Sequence, residues 1–332
     1  MVKNSRRNFI KNLFFLSQSL LLPKTILSKH LGNKKLDIAL QIYSFTPLLL
    51  QGKFNVLDFP KMVRETYNMN GAEHWSIAFM GKENDKKYLN ELKSRSEENR
   101  IDNLIILVDN IDISTMKSGP SLASSLKTER GSAIDFHKRW VEVAKQIGCH
   151  SIRVNLRSSE QNNQKILENS SESLLELIEF SKRDKINIVV ENHGGITGDA
   201  DWMVNLMENI NSKYLGTLPD FGSSNFCINK GDLDLEGITN SCETQYDKYD
   251  GVTKLMPYAK GVSAKSHAFN QDGEELSTDF SKMIEIISNS NYSGYITVEY
   301  EGAIMSMYRG GENYLNSNDG VIATKKLLEK YI

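Results

Sequence analysis

Two periodicities alternate along the chain from residue 35 onward. Short runs rich in consecutive apolar residues occur in LDIALQIYSF (36–45), GAEHWSIAF (71–79), IDNLIILVDN (101–110), HSIRVNL (150–156), INIVVENHGG (186–195), YLGTLPDFG (214–222), KGVSAKSHAF (260–269) and SGYITVEYEG (293–302). Each is followed by a stretch with apolar residues every three or four positions: FPKMVRETYN, KKYLNELKSRSEEN, SAIDFHKRWVEVAKQIG, SSESLLELIEFSKRD, ADWMVNLMENI, KYDGVTKLMPYA, TDFSKMIEIISNS and GVIATKKLLEKY. Continuous Val/Ile/Leu runs mark parallel strands covered on both faces, and the longer period marks helices with one buried stripe. Ser170, Ser171 and Ser173 read as caps at the start of the fourth helix. Eight strand-then-helix units predict an α/β fold, a parallel (β/α)8 TIM barrel forming one domain over residues 35–332. The 332 residues suffice, since such barrels take about 250 plus insertions. A doubly wound open sheet would want fewer repeats and a Gly-rich first turn. No GxGxxG follows strand one, and no GxxxxGK[ST] occurs anywhere. Strand two is the least regular, because His74, Trp75 and Ser76 interrupt its apolar run.

Residues 1–30 stand outside this alternation. Ser5, Arg6, Arg7, Asn8, Phe9, Ile10 and Lys11 resemble a twin-arginine export consensus, and a moderately apolar run follows from Leu13 to Leu22. That run is too short to span a bilayer, so a cleaved signal and no stable membrane anchor are expected. No Cys follows it, which argues against a lipoprotein. Twin-arginine export carries folded proteins and predicts a periplasmic address; if the segment is instead a basic amphipathic helix, the protein is cytoplasmic.

Composition narrows the function classes. Apolar residues are 39% and charged residues 25%, ordinary for a globular chain. A net charge of −2 offers no concentrated basic face, so nucleic acid is not expected as a partner. Cys149, Cys227 and Cys242 are odd in number and have no CxxC spacing, so neither a disulfide framework nor a thiolate zinc site is indicated; a single Cys227–Cys242 bridge would need an oxidising compartment.

A barrel carries its chemistry at the C-terminal ends of its strands. Glu191 ends strand five, Asp220 strand six and His267 strand seven, while Glu299 lies in strand eight. A single charged residue leaving a strand is usually solvated loop. Four successive strand ends that each offer a ligand are not, because three crowded carboxylates repel one another unless a cation holds them. An oxygen-rich set favours one divalent ion, Mg²⁺ or Mn²⁺ ahead of Zn²⁺ or Co²⁺. His193 shares a face with Glu191 and reads as a substrate contact or a support for the site. Arg153 and Asn155 share a face of strand four and read as substrate-binding, with neutralisation of the carboxylates as the other role for Arg153. Lys265 would neutralise an enolate or pair with a carboxylate. Tyr43, Trp75 and Trp140 read as packing, and His74, His137 and His150 show no partner pattern.

ENHGG, LPDFG and VEYEG, in this order and spacing, resemble the xylose isomerase-like barrels described as sugar phosphate isomerases/epimerases, over roughly Leu36 to Ile332. The resemblance implies one metal bound by Glu191, Asp220, His267 and Glu299, with Glu191 and Glu299 exchanging the substrate proton. Strand seven departs from the family pattern His-x-Lys-Asp: Ser263 occupies the His position, Lys265 the Lys position, and His267 comes two residues later. Strand two departs as well, with Glu73, His74 and Trp75 where an apolar run ending in Glu is usual.

The expected activity is that of a divalent-metal-dependent sugar isomerase or epimerase, working by proton abstraction beside a carbonyl through a cis-enediolate. Its partner is a small carbohydrate, and homo-oligomers are compatible with the fold. A periplasmic address favours a neutral or acidic sugar over a phosphorylated one. Expulsion of a β leaving group from the same enolate would instead make a lyase or hydratase of 3-keto-sugars or 3-keto-glycosides. A non-catalytic sugar-binding barrel is a third reading. A metal-dependent phosphodiesterase would need more His ligands and a basic groove.

Overall fold

The computed structural model describes residues 36–112, 115, 117–228, 242–310 and 314–332. The predicted signal segment lies outside the described residues. Strands β1 (Leu36–Gln41), β2 (Gly71–Trp75), β3 (Asp102–Leu107), β4 (Ser151–Val154), β5 (Asn187–Glu191), β6 (Leu215–Leu218), β7 (Val262–Ser266) and β8 (Gly294–Tyr300) form one sheet in the order β6-β5-β4-β3-β2-β1-β8-β7. All of its pairings are parallel. The ring closes between β6 and β7 through bridges Thr217–Ala259 and Asp220–Ser263, with Ser263 N donating to Pro219 O at 2.9 Å and Phe221 N to Ser263 O at 3.1 Å. Closure leaves no sheet edge, the requirement of a (β/α)8 barrel.

Helices α1 (Phe59–Glu65), α2 (Lys86–Glu98), α3 (Lys127–Ile147), α4 (Asn163–Ser181), α5 (Ala200–Ile210), α6 (Lys248–Leu255), α7 (Phe280–Asn289) and α8 (Ser317–Tyr331) follow the strands in turn. Every residue of Ile188–Glu191 is buried, the expected result for a strand with the barrel interior on one face and helices on the other. Among the described residues no helix is long and apolar enough to cross a membrane.

The strands are shorter than their apolar runs. β1 ends at Gln41 and β2 at Trp75, and the apolar residues beyond them form 3-10 turns, Ile42–Phe45 and Ser76–Phe79. Ile42, Phe45 and Phe79 are fully buried in those turns. Apolarity reports burial and not ladder pairing, so a buried turn prolongs the apparent strand. The interruption in strand two has a packing cause. His74 points into the helix layer between Phe59 and Phe79, with Nε2 2.8 Å from Asn103 Oδ1.

The serine caps are a correction. Helix α4 begins about seven residues earlier than Ser170, at Asn163, and the Asn162 side chain caps it by accepting from Gln164 N and Lys165 N. Ser170, Ser171 and Ser173 are buried inside the helix, where Ser171 Oγ accepts from Asn209 of α5 and Ser173 Oγ donates to Asn169 O. Ser171 and Ser173 thus satisfy their hydroxyls at a close helix contact, whereas Ser170 Oγ is buried without a hydrogen-bond partner among the described residues.

Candidate active site

The barrel interior is polar in two tiers. In the deeper one Glu73 of β2 accepts from Gln41 Nε2 of β1 at 3.2 Å and from Thr297 Oγ1 of β8 at 2.9 Å. Burial pushes its carboxyl up to about 7, against the lowering effect of those two hydrogen bonds. Glu299 follows Thr297 by two residues and so shares its inward face one step nearer the mouth. The β7–β8 register sets Glu299 beside Lys265.

At this upper tier Glu191, Asp220 and Glu299 each bring one carboxylate oxygen to within 4.8 Å of the others, and all three residues are buried. Asn192 fixes the first two. Its Oδ1 accepts from Asp220 N at 2.8 Å and its Nδ2 donates to Asp220 O at 3.1 Å, so one amide side chain supplies the missing rung between the ends of β5 and β6. Asp220 Oδ1 accepts from Gly222 N at 2.6 Å. A Cβ at residue 222 would lie 2.8 Å from Lys265 Cδ, which is why LPDFG needs its glycine. Ser263 Oγ donates to Glu299 Oε2 at 2.5 Å, and Asn225 Nδ2 to Glu191 Oε1 at 3.4 Å.

Two cations balance this cluster. Arg153 Nη1 donates to Asp109 Oδ1 at 2.7 Å, and its Nε lies 2.8 Å from Glu191 Oε2. The second contact is an ion pair without hydrogen-bond alignment, so neither of those atoms has a hydrogen-bond partner. Lys265 Nζ stands 3.4 Å from Asp220 Oδ2, 3.5 Å from Glu299 Oε1 and 3.1 Å from Glu301 Oε1. Burial raises the proton affinity of the three clustered carboxyls more than these cations lower it, to about 7 for Glu191, about 6 for Asp220 and about 8 for Glu299. Burial works against the Lys265 ammonium too, but Asp220, Glu299, Glu301 and Glu191 outweigh it and hold it well above the usual lysine value.

The structure therefore brings Glu191, Asp220, Glu299, Lys265 and Arg153 together. Asn155 lies beside Arg153 and donates to Asp109 Oδ1 at 2.9 Å. His267 shares the face of Ser263 and Lys265 as expected, but it sits one step outward. Its Nε2 is 3.2 Å from Glu301 Oε2, and it is not part of the carboxylate group. His193 is half-buried at the rim, its backbone N held by Thr197 Oγ1 at 3.0 Å. Trp75 packs edge-on against Tyr43 and also donates Nε1 to Asp109 Oδ2 at 2.7 Å.

Asp109, Asn192, Asn225 and Glu301 were not picked out by sequence reasoning. Asp109 follows β3 in LVDN and Glu301 follows β8 in VEYEG, the same signal of a carboxylate leaving an apolar run that singled out Glu191. Asn225 carries no such signal.

The donor set suits a divalent cation. Three hard carboxylate oxygens converge, and Glu191 Oε2 and Asp220 Oδ2 are buried without a hydrogen-bond partner among the described residues. Arg153 Nε at 2.8 Å and Lys265 Nζ at 3.4 Å meet these two oxygens as ion pairs without hydrogen-bond geometry, so both keep lone pairs that a divalent cation can take. Glu191, Asp220 and Glu299 would hold the ion, and oxygen ligands favour Mg²⁺ or Mn²⁺.

The sequence profile of xylose isomerase-like TIM barrels matches residues 67–329. Among solved structures, a D-psicose 3-epimerase crystallised in the presence of D-fructose superposes with a TM-score of 0.62 at 11% identity, covering 89% of this chain and 99% of that one. The 3-keto-D-glucoside 4-epimerase YcjR from E. coli gives 0.62 at 13% identity over 89% and 100%. The IOLI protein with a bound zinc atom gives 0.57 at 13% over 89% and 99%. At such identities the likeness is one of fold. No curated protein matches the chain significantly.

Proposed function

The chain belongs to the xylose isomerase-like TIM barrel family, and from that premise we propose that it is a divalent-metal-dependent sugar epimerase or isomerase that moves a proton on the carbon beside a substrate carbonyl. One observation carries the reading. Glu191 and Glu299, from strands three places apart around the ring, are both buried in one carboxylate group, with proton affinities raised by burial to about 7 and 8. Burial favours the protonated form of each and a bound cation the ionised form, so the two can trade a proton, one taking it from carbon and the other returning it. A divalent cation on Glu191, Asp220 and Glu299 would polarise the carbonyl and acidify the adjacent C–H. Arg153 orients Glu191 from the side, and Ser263 does the same for Glu299.

The exported address proposed below favours an unphosphorylated substrate, and Arg153 and Lys265 are already paired with carboxylates of the site. The neighbours named for D-psicose and a 3-keto-D-glucoside make keto-sugars the class to test. We therefore expect the purified protein, supplied with Mn²⁺ and a keto-sugar panel in deuterated water, to place deuterium in recovered sugar, and Glu191→Gln to abolish it. Full exchange by that variant would overturn the mechanism, and an unsaturated product would assign elimination instead.

Export by the twin-arginine route, with residues 1–30 as signal and the barrel as mature protein, belongs to the same proposal. The Cys227–Cys242 disulfide supports it, since such bonds persist in oxidising compartments. Changing Arg6 and Arg7 to Lys should retain the protein in the cytoplasm on cell fractionation; unchanged export would refute that address.

A further inference from the structure

Lys265 sits in an unusual contest. Of the three carboxylates within 3.5 Å of its Nζ, Asp220 and Glu299 belong to the group that can hold a cation, while the nearest, Glu301 at 3.1 Å, does not. An ammonium and a divalent ion a few ångströms apart in a buried site repel strongly, so an ion entering the group must move the ammonium away. The routes open to it are few. The Lys265 stem passes over Gly222, where even a Cβ would lie 2.8 Å from its Cδ, and the strand register fixes its root beside Glu299. Glu301 lies one step nearer the mouth and is steadied from its other side, with Oε2 3.2 Å from His267 Nε2.

Resting on the metal-dependent reading above, we propose that Glu301 is a positioning residue that receives Lys265 when a divalent ion binds Glu191, Asp220 and Glu299. The ammonium is then the internal counter-ion of the metal-free centre, and Glu301 frees Asp220 and Glu299 for the metal by taking it over. His267 has the supporting part of anchoring Glu301.

The test is a double-mutant cycle on Mn²⁺ affinity, measured by calorimetry on the purified protein, Glu301→Gln, Lys265→Met and the double variant. Loss of Glu301 should weaken Mn²⁺ binding by about tenfold or more while Lys265 is present, the scale of one unit-charge contact in a partly screened site. With Lys265→Met in place the same change should cost less than about twofold, because no ammonium needs a second station. Equal losses in both backgrounds overturn the handover, since Glu301 would then act only as one more negative charge. Tight Mn²⁺ binding that Glu301→Gln leaves unchanged also overturns it, without touching the metal reading. Failure of the unaltered protein to bind Mn²⁺ overturns both. Should Glu301→Gln not fold, a crystal structure of the Mn²⁺-loaded protein decides. Lys265 Nζ on Glu301 and beyond about 4 Å from Asp220 and Glu299 supports the handover, and an unmoved Nζ refutes it.

Discussion

Asp109 accepts from Trp75 Nε1, Arg153 Nη1 and Asn155 Nδ2, and so decides where the guanidinium beside Glu191 lies. Burial pushes its carboxyl up, but Arg153 and Arg157 outweigh burial and hold it below the ordinary range, so it is a permanent charge at neutral pH. In Asp109→Asn that charge is lost and Glu191 becomes the only carboxylate ion-paired with Arg153 among the described residues. The expected result is a fall in kcat of roughly 10- to 100-fold, the usual cost of losing a support of a site ligand. The acid limb of the kcat–pH profile should also move to lower pH, because a less divided Arg153 lowers the proton affinity of Glu191. A reduced rate with an unmoved profile would make Asp109 merely structural. At this scale Glu191, Asp220 and Glu299 were legible, since each is a carboxylate in or just after an apolar run that the alternation makes a strand. Asp109 carried the same signal in LVDN, but its weight depends on Trp75, Arg153 and Asn155, which lie tens of residues away in sequence.

The element with most influence on the mouth is the turn after β5. Gly194 and Gly195 take φ of 77° and 57°, a left-handed backbone that favours glycine. Their N–H groups donate to Asn225 O and Cys227 O, both at 2.9 Å. The β5 turn and the segment after β6 are thereby held together, and Cys227 is bonded to Cys242 across a separation of 15 residues. Asn225, two residues before that bridge, is the one that reaches Glu191. Reducing the disulfide should cost on the order of 3 kcal/mol for a loop of this length and raise KM more than it lowers kcat. Thermal unfolding and kinetics with and without reductant check this; an unchanged melting temperature would deny the bridge a structural part. ENHGG showed its glycines to sequence reasoning, but which carbonyls they would meet depended on β6 lying next to β5.

For the whole molecule, the acidity of the barrel interior has a consequence in solution. Burial holds Glu73, Glu191, Asp220 and Glu299 at about 7, 7, 6 and 8, above their unfolded values of about 4. Groups raised in this way favour the folded state below the unfolded pKa, and that stability is lost as pH rises through about 6 to 8. Asp109 and Glu301 are lowered, so their contribution is present above the unfolded value and disappears only in acid, outside that window. The metal-free protein should therefore melt at a lower temperature at pH 8 than at pH 6. Mn²⁺ should reverse the trend, since it binds ionised carboxylates and stabilises by mass action. Calorimetric melting at both pH values, with chelator and with Mn²⁺, reads this directly, and a metal-free melting temperature that rises with pH would contradict the buried acidic interior. The alternation of apolar runs and helical stripes was enough by itself to determine a (β/α)8 barrel and the strand-end carboxylates at its mouth, because both follow from local periodicity and from which end of a strand is polar. Only the tertiary structure decided that Ser263 serves Glu299, that Lys265 stands among the carboxylates and that His267 turns to Glu301. Those contacts depend on the register between strands far apart in sequence, where one step of about 3.3 Å separates a ligand from a neighbour.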